Sequence, residues 1–167
     1  AEVQALVAIA IDVQQTGRTT SNHPDFIDTV LERAAALSAQ GEHKQAETEI
    51  LTALAEEEAQ FKARKAKLLT AAAKASTLAG DATATAAHLW ANLQLDLPPD
   101  ADVFEALREL QDSYYERGRD KGRTFDLRIA IALAQTSLDL VKGPDQRGAA
   151  LNDLGIALKI FGDRDSL

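Results

Sequence analysis

Leu107-Arg108-Glu109-Leu110-Gln111-Asp112-Ser113-Tyr114-Tyr115-Glu116-Arg117-Gly118 and Leu151-Asn152-Asp153-Leu154-Gly155-Ile156-Ala157-Leu158-Lys159-Ile160-Phe161-Gly162 carry one pattern written twice. Leu107, Leu110 and Tyr114 recur at steps of three and four before Gly118, and Leu151, Leu154 and Leu158 do so before Gly162. Apolar residues at those steps share one helix face. A Gly four residues on reads as the end of the helix, because Gly takes a left-handed cap without strain. Val30, Leu37 and Gly41 form a weaker third copy, and Ser76 with Gly80 a worn fourth. Recurrent helix-then-glycine units read as stacked helical hairpins, an all-α solenoid. The six apolar residues of the two clear copies are then expected to be buried, as the inner faces of two successive hairpins.

Working outward, the chain divides into about eight expected helices. The first spans about 2–15 and stops at Gly17, and a polar loop leads to Pro24, suited to a first helical position. A second runs over about 25–40. Between Glu42 and Ala79 there is neither Gly nor Pro. A solenoid must fold back, so two helices are expected there, with a turn near Glu58 to Phe61. Gly80-Asp81 closes the fourth helix and caps the fifth, 82–95. Pro98-Pro99-Asp100 is the firmest break. The sixth covers 102–117, the loop 118–123 follows, and the seventh covers 124–141. Gly143-Pro144-Asp145 precedes the eighth, 146–161. The expected hairpins are therefore 25–60, 61–97 and 100–142, after a leading segment 1–24 and before an incomplete one at 145–167. The open last hairpin, and a chain that starts at Ala1 with no Met, read as a segment of a longer protein whose end another chain covers.

Composition narrows the function. The net charge is -8 and the pI about 4.9. That argues against nucleic acid, which needs a basic footprint, and against an anionic membrane surface. With no Cys, disulfides, thiolate metal sites and Cys nucleophiles are excluded. The apolar stretch from Val3 to Val13 is too short to span a bilayer and lacks the basic flank of a signal peptide, so a cytoplasmic protein is expected. The acidic Glu56-Glu57-Glu58 beside the basic Lys62-Ala63-Arg64-Lys65-Ala66-Lys67 reads as a solvated helix face, Glu58 and Lys62 making an i,i+4 pair. A basic docking patch is the alternative.

At Asn152-Asp153-Leu154-Gly155-Ile156-Ala157-Leu158-Lys159-Ile160-Phe161-Gly162-Asp163-Arg164 the chain resembles the tetratricopeptide repeat. The run is similar to that family's asparagine-x-leucine-glycine first helix and glycine turn. Gly41-x-x-x-x-Ala46-x-x-x-Ile50-x-x-Ala53 is similar to its second-helix spacing. The turn glycines lie further apart than the ~34-residue period of the simplest such repeat, so the helices are expected to be longer or the loops larger, and the segment Tyr114 to Arg164 resembles a long-repeat bacterial variant. The resemblance covers most of residues 27–164, with departures at Ser76 and Thr85. It implies a right-handed solenoid of antiparallel hairpins in which Gly155 admits a neighbouring helix. It also implies a concave groove that binds a peptide or protein. Carried onto this chain, that groove presents Lys67, Thr70 and Lys74, then Arg108, Asp112 and Tyr115, then Asn152, Asp153, Ile156 and Lys159. Of the family's carboxylate clamp only Asn152 is placed, so chaperone-tail binding is not expected.

No catalytic chemistry emerges. His23, His43 and His88 lack the one-turn spacing of helical metal ligands, so no metal or cofactor is expected. Gly143 to Gly148 has a phosphate loop's glycine spacing, but Ala149-Ala150 stands where Lys-Ser/Thr is required. Arg119, Lys121 and Arg123 could clasp an anion at the next helix start, although an exposed turn is the plainer reading. Trp90 reads as core, with a binding anchor as the alternative. The expected function is a non-catalytic protein-interaction scaffold, with self-association through its open C-terminal end as a further expectation. The alternative is a regulatory or oligomerising segment of a larger signalling protein whose catalytic domain lies outside this chain.

Overall fold

The computed structural model describes residues 24–165. Among them the chain is all-helical, with six helices and no strand. They are α1 (Pro24–Ala39), α2 (His43–Leu78), α3 (Ala82–Gln94), α4 (Val103–Lys121), α5 (Thr124–Asp139) and α6 (Pro144–Asp165). The expected leading helix over 2–15 lies outside the described residues. The chain divides into two compact units, Ala1–Lys62 and Ala63–Leu167.

In the first unit α1 starts at Pro24, as its locked φ favours. Val30, Ala34 and Ala46 are buried, and Arg33 pairs with Glu49 across the α1–α2 turn at 3.6 Å. Gly41 makes that turn. Its amide donates to the Ser38 carbonyl and the Glu42 amide to the Leu37 carbonyl, the paired closure of a Schellman cap.

The expected turn at 58–61 is absent, and α2 is one 36-residue helix. The physical reason is local. The run is rich in Ala, Glu, Lys, Gln and Leu, all strong helix formers, and has no residue that could take a left-handed cap before Gly80.

The second unit is built around α5. This helix buries Leu127, Ile129, Ala130, Ala132, Leu133, Ala134 and Ser137, residues that cover more than half its circumference and leave Arg128, Gln135 and Asp139 as its exposed face. It packs on α3, α4 and α6, and α6 also touches α4. Ser137 fits inside because its Oγ donates to the Ala134 carbonyl at 2.7 Å. Trp90, Leu107, Ile129 and Leu133 anchor the core, so Trp90 is a core residue.

Two expectations about registration are corrected. Gly118 does not end α4. The helix runs on to Lys121, and Gly122, at φ +67°, is the left-handed cap. Gly118 instead lies flat against α5. A Cβ there would stand 2.6 Å from Leu127 Cγ and 2.9 Å from the Leu127 backbone nitrogen. Likewise Gly162 lies inside α6, and Gly155 is exposed with nothing within 4 Å of a Cβ.

The expected inner face is confirmed at Leu107, fully buried, while Leu110, Tyr114 and Leu154 are half-buried. It fails at Leu151 and Leu158, which are 50% and 47% exposed. α6 turns Ala150 and Ala157 inward instead, with Leu154 and Phe161 beside them. Polar bonds set that rotation. Arg108 Nε on α4 donates to Asp153 Oδ2 at 2.8 Å, and Arg164 donates from Nη1 and Nη2 to the carbonyls of Gly118 and Arg119, both at 2.6 Å. Asp153, Ala157 and Arg164 share a face at steps of four and seven.

Candidate functional site

A cleft of about 550 Å³ opens in the second unit between the last turns of α2 and the helices α3, α4 and α5. Its position follows from two turns. α2 stops at Leu78 because Gly80 closes it, with Gly80 N donating to Thr77 O and Asp81 N to Ser76 O. Asp81 then caps α3 by accepting from the Ala84 amide at 2.9 Å. The chain thereby reverses within three residues. Buried Thr85 steadies the reversal, its Oγ1 donating to Asp81 O at 2.7 Å and lying 3.5 Å from Thr77 Oγ1.

The walls are largely apolar. Leu69 and Ala73 come from α2, Leu89 from α3, Tyr114 from α4 and Ile129 from α5. The polar lining includes Asn92, Arg117, Arg123 and Asp126. The Arg117 guanidinium lies over the Tyr114 ring, 3.8 Å from its centroid. Such a contact strengthens as water is removed. Arg117 Nε stands 3.5 Å, and Arg123 Nη1 3.8 Å, from Asp126 Oδ2. The anion at the start of α5 is thus the chain's own Asp126, in the first turn, where the helix dipole favours it.

These groups hold one another by charge but not by hydrogen bonds. Asn92 Oδ1, Arg117 Nε and Asp126 Oδ2 are buried and have no hydrogen-bond partner among the described residues. Buried polar atoms are nearly always satisfied, and leaving one unpaired costs about 1–3 kcal/mol. These two acceptors and one donor are enclosed behind the cleft lining rather than open to it. Lys74 also lines the cleft, so with Arg117 and Arg123 against Asp126 it carries a local positive excess in a chain of net charge -8.

Of the residues the sequence singles out for partner binding, Lys74 lines this cleft and Lys67 is exposed on the same helix. Arg108 is committed to the Asp153 bridge and to Glu105, at 3.3 Å, and lies 5.9 Å over Phe104. Tyr115 is half-buried with the Arg119 guanidinium 5.4 Å from its ring centroid. Asn152, Ile156 and Lys159 are exposed on α6. Arg119 binds Asp120, at 2.7 Å, and so is engaged within its own turn.

Asp112 stands beside this bridge. Its partial burial pushes its carboxyl above the usual carboxylate range, and the neighbouring Asp153 adds to the rise while Arg108 opposes it. A raised folded-state pKa means that ionised Asp112 destabilises the fold above that pKa, and that protonation relieves the cost. Asp112→Asn is expected to raise the melting temperature at neutral pH, the gain fading as the pH falls through the carboxylate range. Melting curves across that range check it, and a gain that persists at low pH would contradict the sign.

Cleft residues such as Asn92, Arg117 and Asp126 escape sequence reading because they come from three elements and form no motif. The one available signal is that Arg117, Arg123 and Asp126 fall within ten positions around a helix–helix turn. Among the described residues no helix is long and apolar enough to cross a membrane. Compared with known proteins, the chain matches no family, no curated protein and no solved structure.

Proposed function

We propose that this chain is a non-catalytic binding module that takes an extended segment of a partner protein in the α2–α5 cleft. One observation carries the reading: an apolar-walled cleft whose lining also holds the cations Lys74, Arg117 and Arg123. Lys74 and Arg123, exposed in the lining, can donate to the carbonyls of such a segment. Apolar side chains of the same segment fill the space beside Leu69, Ala73, Leu89 and Ile129. Displacing water from apolar walls, with a few polar groups fixing orientation, is how compact sites gain affinity.

The tetratricopeptide-like reading gives this proposal its context. The consecutive helices α4, α5 and α6 pack pairwise, as the helices of stacked hairpins do, while α3 packs on α5. In that reading the module is a cytoplasmic scaffold.

Panning a displayed random-peptide library on the purified chain tests the proposal. Enriched peptides are expected to be apolar, and Ala73→Asp is expected to abolish their binding while Arg108→Ala leaves it intact. Peptides that bind equally well to Ala73→Asp would refute the cleft as the site.

A further inference from the structure

The α2–α5 cleft inverts the charge balance of the chain. The sequence as a whole holds 26 Asp and Glu against 18 Lys and Arg. Among the described residues the cleft is lined by Lys74, Arg117 and Arg123 against the single carboxylate of Asp126. Arg117 and Arg123 share that carboxylate, at 3.5 Å and 3.8 Å, so it balances only one of them. Lys74 stands on a different element, α2, and is exposed, and the Arg123 side chain is 62% exposed. Two positive charges therefore lack a counter-charge within the lining. Apolar walls focus the field of such charges and raise the local concentration of anions.

We infer that the partner segment is acidic, with Asp or Glu interleaved among its apolar residues. The inference rests on the reading of the cleft as a peptide site and adds the charge that the segment must carry. In an extended chain successive side chains point to opposite sides, so alternation sends apolar residues to the walls and carboxylates outward to Lys74 and Arg123. An ammonium has three donors and a guanidinium five, so each cation can hold a carboxylate as well as a backbone carbonyl. Hydrogen bonds between charged partners are roughly twice as strong as neutral ones. A neutral segment leaves the two cations uncompensated, and a basic one adds repulsion. Complementarity of this kind selects among partners that would fill the apolar space equally well.

Three short peptides, capped at both ends and labelled, test the inference: Leu alternating with Glu, with Gln or with Lys. Their binding to the full chain is read by fluorescence anisotropy at low and high salt. The Glu peptide is expected to bind roughly tenfold more tightly than the Gln peptide, and the Lys peptide more weakly than either. The gap between Glu and Gln is expected to close at ~1 M salt, where charges are screened within about 3 Å. Lys74→Gln and Arg123→Gln, both at exposed positions, are each expected to weaken binding of the Glu peptide about threefold and to leave the Gln peptide unchanged. Equal affinity for the Glu and Gln peptides, with Ala73→Asp abolishing both, overturns the acidic requirement and leaves the cleft as the peptide site. Binding of all three that survives Ala73→Asp overturns both readings. A Lys peptide that binds most tightly, or a Glu peptide that does not bind, overturns the inference.

Discussion

Leu107→Ala is expected to lower stability by about 3–5 kcal/mol, the upper part of the range for a buried Leu. Leu107 is fully buried on α4 within the cluster of Trp90, Ile129 and Leu133. Truncation removes the transfer free energy of its methyl groups and leaves a cavity that α5, held on three sides, cannot collapse to fill. The contrast with α6 gives the prediction its edge. Leu151→Ala and Leu158→Ala, at half-exposed positions, are expected to stay within ~0.5 kcal/mol of the parent chain. Urea unfolding of the three variants measures this. A loss at Leu158 as large as at Leu107 would mean that α6 is rotated from the face described.

Gly118→Ala is the second large effect, and its sign opposes what helix propensity predicts. In an exposed helix interior Gly→Ala gains up to about 1 kcal/mol. At Gly118 the new methyl would stand 2.6 Å from the Leu127 side chain and 2.9 Å from the Leu127 backbone nitrogen. The side chain can swing aside, but the backbone cannot without moving the start of α5. Overpacking of that kind costs about 1–3 kcal/mol, and with a backbone clash the upper figure applies. The net loss is expected to be about 2 kcal/mol, with added disturbance of Arg117 and Asp126 on either side of the contact. Gly155→Ala is the internal control. It lies in α6 with nothing near its Cβ position, so it is expected to gain ~0.5–1 kcal/mol. Equal effects at the two glycines would contradict the close approach of α4 and α5.

These two sites also show where sequence reading succeeds and where it stops. Signals that act through the local backbone were legible. Gly41 and Gly80 close helices as expected and Pro98-Pro99 breaks the chain before α4, while α6 starts at Pro144, two residues before the expected 146. Gly118 misleads because a glycine near a helix end looks the same whether it caps or admits a neighbour, and Gly122 four residues on is equally able to cap. The missing turn in α2 came from letting an expected solenoid override a run that holds no stop signal. The rotation of α6 is a different failure. Ala150, Leu154, Ala157 and Phe161 form one apolar stripe, Leu151, Leu154 and Leu158 another beside it, and periodicity cannot rank them. Arg108–Asp153 and Arg164 decide the matter across 45 or 46 positions of chain. The cleft is hidden for the same reason. Ala73, Asn92, Arg117 and Asp126 become neighbours only once four helices have packed.

The central claim, that a partner segment lies in the α2–α5 cleft, is tested most directly by nuclear magnetic resonance. Isotope-labelled protein is titrated with a peptide recovered by panning. The Arg117 side-chain Nε–H gives its own signal, and in the free protein that donor has no hydrogen-bond acceptor. On binding, the account predicts a large shift of this signal together with those of Ala73, Leu89 and the Asn92 side-chain amide. Shifts confined to Arg108, Tyr115, Asn152, Ile156 and Lys159, with the Arg117 signal unmoved, would place the site on the α4–α6 face and contradict it.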